Sequence, residues 1–222
     1  MELFFYVLEL VGVISFSVAG AVAAIDREID LFGVLFLSLV TSFGGGMLRD
    51  VLIGNTPAFF SAYLQIACGA GTGLAVFLVA AILKKRYVEN EVLIDHINNY
   101  FDAAGLGIFA VMGAKICLDS GYSSALVAIS LGMITAVGGG IIRDLLLREI
   151  PFVLRKRVYA VAALVGASVY YLLFCLLGVA EYLALLLGIA AVVAIRVTAT
   201  VFRLNIPRAI VFERDHIPHA KH

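Results

Sequence analysis

The sequence predicts an all-α integral membrane protein: seven transmembrane helices, built as two inverted three-helix repeats plus a seventh helix. Three observations carry that prediction. Of the 222 residues 63% are hydrophobic and only 14% charged, where a soluble domain runs nearer 45–50% apolar and about 25% charged. The apolar residues also fall into seven runs, each long enough to cross a hydrocarbon core of about 30 Å, which takes roughly 20 helical residues. Finally, a ten-residue pattern in the second run returns in the fifth, 94 residues later.

The runs are residues 3–25, 31–53, 58–83, 99–118, 123–147, 158–178 and 182–202, and they leave only short loops. The whole chain, 1–222, therefore reads as one transmembrane domain. The first run ends in small residues, as a signal peptide does. It carries Glu2 and Glu9 instead of a positive leading segment, so it is taken as a membrane helix. In the second, Thr41-Ser42-Phe43-Gly44-Gly45-Gly46-Met47-Leu48-Arg49-Asp50 is matched by Thr135-Ala136-Val137-Gly138-Gly139-Gly140-Ile141-Ile142-Arg143-Asp144 in the fifth. Pro57 and Pro151 follow at the same spacing. Upstream the match continues at a spacing of 93: Glu9 with Asp102, Gly12 with Gly105, Phe16 with Phe109 and Gly20 with Gly113. Residues 3–83 and 99–178 are thus two copies of one unit, with 182–202 added. Three spans is an odd number, so the second copy enters the membrane from the opposite side and the repeats are inverted about an axis in its plane.

Lys and Arg set the orientation. Twelve of the sixteen fall on one face, here face B: Arg27, Lys84, Lys85, Arg86, Arg148, Arg155, Lys156, Arg157, Arg203, Arg208, Arg214 and Lys221. The other four (Arg49, Lys115, Arg143 and Arg196) lie within spans, so the loops of the opposite face A have none. Face B is expected to be cytoplasmic, with the N-terminus outside and the C-terminus inside. Sixteen basic residues balance sixteen acidic ones, which argues against a nucleic-acid partner. Cys68, Cys117 and Cys175 sit in apolar runs without CxxC spacing and read as small buried hydrophobes. His96, His216, His219 and His222 lie in loops or the tail with no metal-ligand spacing, and no nucleophile–base pair stands out. Neither a metal site nor catalysis is expected.

Glycine inside a helix costs about 1 kcal/mol relative to alanine, and here three occur in a row, twice. The triplets Gly44, Gly45, Gly46 and Gly138, Gly139, Gly140 predict that spans 2 and 5 break near their middles, freeing carbonyls for an ion or substrate at the bilayer centre. The competing reading is close helix packing, which is preferred for the glycines of 69–73. Arg49–Asp50 lies toward face A and Arg143–Asp144 toward face B, so a charged vestibule is expected above and below a central Gly/Thr layer. Alternatively each Asp neutralises its Arg and caps a half-helix, or the Arg stems reach the interfaces. Thr41, Ser42 and Thr135 offer hydroxyl oxygens to a dehydrating cation, or bond the preceding turn. Phe43 and its counterpart Val137 form a constriction or belong to the core. Glu9 and Asp102 attract cations at the two mouths or are solvated there; Lys115 and Arg196, without repeat partners, are candidates for a gate or counter-ion.

With its doubled G-G-G-x-x-R-D motif, residues 44–50 and 138–144, the seven-span chain resembles the prokaryotic branch of the trimeric intracellular cation (TRIC) channel family over nearly its whole length. The resemblance implies a homotrimer with an hourglass pore inside each protomer, lined by spans 2 and 5 kinked at their glycines. Such a pore passes monovalent cations, chiefly potassium. It implies no cofactor beyond the permeant ion and, at most, bound lipid; the partners are other copies of the chain and the surrounding lipids. Animal members carry a Lys-Glu-Val core at this position, which this chain lacks, so their store physiology and lipid regulation are not carried over. A prokaryotic cytoplasmic membrane is the expected location. The residues themselves leave a second reading open, a secondary transporter for a small zwitterion such as an amino acid, with the Arg–Asp steps binding its carboxylate and amine. A non-conducting scaffold gives no reason for intramembrane charge.

Overall fold

The structure, a computed structural model, describes residues 2–155 and 158–202. Lys156, Arg157, Arg203, Arg208, Arg214, Lys221 and the three tail histidines lie outside the described residues. Helix α1 (Glu2–Ile25) leads through a short turn into α2 (Leu31–Leu52). The Asp30 carboxylate accepts the Gly33 N–H at 2.9 Å, satisfying one of the donors that a helix start leaves open. A single 3₁₀ turn (Ala58–Ser61) precedes α3 (Tyr63–Ile82), and α4 (Lys84–Glu89) connects to the long α5 (Glu91–Asp119). Then come α6 (Ala125–Leu146), α7 (Phe152–Arg155), α8 (Val158–Tyr171) with a π-helical turn at Leu172–Leu176, and α9 (Glu181–Val201). Among the described residues seven helices are long and apolar enough to cross a membrane: α1, α2, α3, α5, α6, α8 with its π turn, and α9.

Two span boundaries differ from the sequence expectation. Residues 58–62 belong to the turn before α3, because Pro57 starts a separate short helix there. Span 4 begins eight residues earlier than 99, at Glu91. Its polar start does not stop the helix because side chains bond back along it: His96 Nδ1 lies 2.6 Å from the Val92 carbonyl and Asn99 donates to that of Asp95 at 2.8 Å.

Loop contacts establish the alternation of spans. On face A the Tyr122 hydroxyl donates to the Ile53 carbonyl and Asn55 donates to the Ser120 hydroxyl, both at 3.2 Å. The α2 and α5 ends therefore share a side. On face B, Tyr87 of α4 donates to Asp26 at 3.2 Å and Arg27 pairs with Glu149, joining the residues that follow α1, α3 and α6.

In lipid there is little hydrophobic force between helices, so association relies on van der Waals packing through small residues. The repeat spacing shows how. Phe16 of α1 lies on Gly105 of α5, Phe109 of α5 lies on Gly12 of α1, and the two rings meet at 5.2 Å. Gly20 lets α1 approach the Leu37 carbonyl of α2, and Gly113 gives α5 the same closeness to Thr135 of α6. These reciprocal contacts are the pseudo-two-fold of an inverted repeat. Helix α9 has no counterpart and packs mainly on the second repeat, against α5 and α8, where Gly166 and Gly188 bring two backbones together.

Candidate functional site

The two glycine triplets meet at the centre of the fold. Gly45 lies against the Thr135 carbonyl and Gly139 against that of Thr41, so close that a Cβ on either would overlap the oxygen. A Cβ on Gly138 would sit 2.9 Å from Gly45 Cα, and one on Gly44 3.3 Å from Gly139 Cα. The expected helix breaks are absent: α2 and α6 stay α-helical through both triplets. The cost of glycine is offset because backbones this close gain packing and Cα–H···O contacts. The carbonyls of Thr41 and Thr135 meet the facing glycines and are not freed for an ion. For these triplets the packing reading holds.

The hydroxyls are occupied as donors. Thr41 bonds the Leu37 carbonyl at 2.6 Å and Thr135 the Leu131 carbonyl at 2.7 Å, each one turn back. Ser42 Oγ sits 2.9 Å from the Ser38 carbonyl, 3.0 Å from that of Val13 and 2.8 Å from Ser17 Oγ. Only lone pairs remain for any passing cation.

Beyond the crossing, each copy repeats one ionic device. Arg49 donates from Nε and Nη2 to Asp50 Oδ1 at 2.9 and 2.7 Å, while Asp50 Oδ2 accepts the Ala58 N–H at 2.9 Å. Arg143 lies 2.9 Å (Nε) and 2.8 Å (Nη2) from Asp144 Oδ1, and Asp144 Oδ2 accepts the Phe152 N–H at 2.7 Å. All four side chains are buried. Each carboxylate therefore neutralises its Arg and ties down the turn that follows Pro57 or Pro151. At the third glycines, Gly46 and Gly140, a Cβ would meet the guanidinium groups at 3.7 and 3.8 Å, an ordinary van der Waals contact, so the tight crossing is confined to the first two glycines of each triplet.

These pairs also line two cavities on opposite sides of the crossing. Toward face A a cavity of about 80 Å³ is bordered by Glu9, Ser42, Phe43, Gly46, Arg49, Asp50, Gln65 and Thr135. Toward face B one of about 270 Å³ is bordered by Asp26, Arg27, Asp95, Asn98, Arg143, Asp144 and Glu149. Along α6 the order is Thr135 at the first cavity, Gly139 at the crossing and Arg143 at the second. Carboxylates outnumber guanidinium groups in both: two to one toward face A, four to two toward face B.

Other candidates lie elsewhere. Asp102 is enclosed by the second repeat and α9, accepting from Tyr159 Oη and Arg196 Nη2 at 3.1 Å each. Arg196 also stacks over the Tyr159 ring at 4.7 Å, a cation–π contact, and its Nε has no partner among the described residues. Lys115 is at the face A end of α5, paired with Asp119 at 2.5 Å and Glu181 at 3.1 Å. Phe43 packs edge-on to Phe59 at 5.2 Å, but Val137 is buried in the core. Of the three cysteines expected to be buried, only Cys117 is; Cys68 is half-buried, and Cys175, within the π-helical turn, is exposed. Sequence reasoning missed Gln65, Tyr159, Asp95 and Asn98. The spacing of 94 pairs Gln65 with Tyr159 and was a usable signal; Asp95 and Asn98 precede the apolar run and gave none.

Fold and cavities define an inverted-repeat, seven-helix integral membrane protein with charged cavities on opposite faces. A family model described as "Glycine transporter" matches it twice, over residues 6–81 and 99–175, following the same two repeats. The UPF0126 inner membrane protein YadS of Escherichia coli (strain K12) is 34% identical over 203 residues, 91% of this chain and 94% of its own. The UPF0126 membrane protein of Deinococcus radiodurans is 39% identical over 171 residues, 75% of this chain and 74% of its own. Among solved structures, the TRIC trimeric intracellular cation channel orthologue from Rhodobacter sphaeroides has a TM-score of 0.80 at 35% identity, covering 90% of this chain and 99% of its own. The chain belongs to this family, as a prokaryotic TRIC member of the group that the glycine-transporter model describes.

Proposed function

We infer that the protein is a cation channel with its pathway inside each protomer, running from the face A cavity past the glycine crossing to the face B cavity. The observation that carries this reading is the pair of net-acidic cavities on opposite sides of one thin contact layer. Clefts lined by one sign of charge concentrate ions of the opposite sign. The name of the solved Rhodobacter sphaeroides relative, a trimeric cation channel, supports both the channel reading and a homotrimer. We assign potassium as the main permeant ion and face B to the cytoplasm, the latter from the Lys and Arg distribution.

The family model's description points instead to a glycine carrier. A zwitterion needs a cation free to hold its carboxylate. Arg49 and Arg143 each give Nε and Nη2 to the neighbouring Asp, which favours the channel. Proteoliposomes separate the two. The channel reading expects potassium efflux that grows with voltage and does not saturate at low concentration, and no uptake of labelled glycine above empty vesicles. Saturable, counterflow-stimulated glycine uptake without potassium flux would establish the carrier.

A further inference from the structure

Glu9 and Asp102 occupy the same position in the two repeats, yet their surroundings have diverged. Asp102 is sealed in: one oxygen accepts from Tyr159 and the other from Arg196, both at 3.1 Å. Arg196 comes from α9, the helix outside the repeat. The first repeat has no such helix, and the residue matching Tyr159 is Gln65, which borders the face A cavity with Glu9. Two cations lie near Glu9, and both are engaged elsewhere: Arg49 by Asp50, Lys115 by Asp119 and Glu181. Glu9 is half-buried and borders this cavity beside the lone pairs of Ser42 and Thr135.

We propose that the seventh helix breaks the equivalence of the two repeat-matched acids: Arg196 cancels Asp102, and Glu9 is left as the one of the pair that draws a monovalent cation into the face A cavity before it reaches the glycine crossing. Inverted repeats alone would give two equivalent acids, one in each repeat. Adding one helix to one repeat removes that equivalence. Glu9 is then a selectivity and entry residue, and Arg196 sets the asymmetry without meeting the ion.

This inference rests on the channel reading, and single-channel recording in dilute, symmetric potassium chloride tests them separately. Wild-type currents should differ in size between the two polarities. Glu9→Gln should cut the current carried by cations entering from face A by roughly twofold or more and change the opposite polarity much less, because removing a wall charge lowers local ion concentration. Gln65→Lys, which supplies the missing neighbouring cation, should do the same by a different substitution. The charge-matched double change Asp102→Asn with Arg196→Met should keep the wild-type current–voltage shape. All three should elute like the wild type on size exclusion. Unaltered currents in both Glu9→Gln and Gln65→Lys, with a conducting wild type, would overturn the role of Glu9 and leave the channel reading intact. A double variant that loses the asymmetry would overturn the role given to Arg196. A silent wild type would overturn both readings.

Discussion

Gly45→Ala and Gly139→Ala are each expected to destabilise the protein by about 3 kcal/mol, the upper part of the range for overpacked cores. For a chain of this size that lowers Tm by roughly 6–12 °C. The new methyl group has nowhere to go. At Gly45 it would occupy the place of the Thr135 carbonyl and at Gly139 that of Thr41, and both are backbone atoms that no rotamer change can move. Helices α2 and α6 must then part, taking with them the reciprocal contact of Gly138 with Gly45 and of Gly44 with Gly139. Gly71→Ala is the control, because a Cβ there meets nothing within 4 Å. It should leave Tm unchanged or raise it slightly through better helix propensity. The double change at 45 and 139 should cost less than the sum, since helices already parted by one methyl accommodate the other. Thermal denaturation in detergent checks all four. A Gly45→Ala protein as stable as Gly71→Ala would show that the crossing is not a backbone contact.

The second large effect concerns the buried ion pairs. Asp144→Ala should cost about 3–5 kcal/mol, because it strands a buried guanidinium and leaves the Phe152 N–H without its acceptor. Arg143→Met combined with Asp144→Asn should recover most of that loss, since no charge is left unpaired and the Asn oxygen can still accept from Phe152. The residual should be about 1 kcal/mol, the usual net worth of a weakened hydrogen bond. Asp50→Ala and its double should behave alike, because Ala58 takes the place of Phe152 in the first repeat. Yield and Tm of the monodisperse protein are the readouts. If single and double variants are equally unstable, Arg and Asp do not act as a pair.

Much of this architecture can be read from the residues. Hydropathy finds the seven spans because lipid demands long apolar runs, and the match of 41–50 with 135–144 gives the repeat and hence its inversion. Helix continuity was not legible. The glycine penalty belongs to an isolated helix, and nothing in the chain shows that Thr135 of one repeat lies under Gly45 of the other. The partnership of Asp102 with Arg196 was hidden for a similar reason: α9 lies outside the repeat, so no register predicts where it docks. The face B cavity was half visible. Its Arg143–Asp144 pair sits in the motif, whereas Asp95 belongs to a polar helical turn beyond the apolar run, and Glu149 lies in a loop where Arg27 reaches it.

The central claim is that a cation passes through the protomer between the two cavities. Planar-bilayer recording of the purified protein under a potassium chloride gradient tests it most directly. The account predicts discrete current steps whose reversal voltage lies near the potassium equilibrium potential, and which become rare in Gly45→Val protein. Silence at every voltage from protein that exchanges labelled glycine across the same membrane would contradict it.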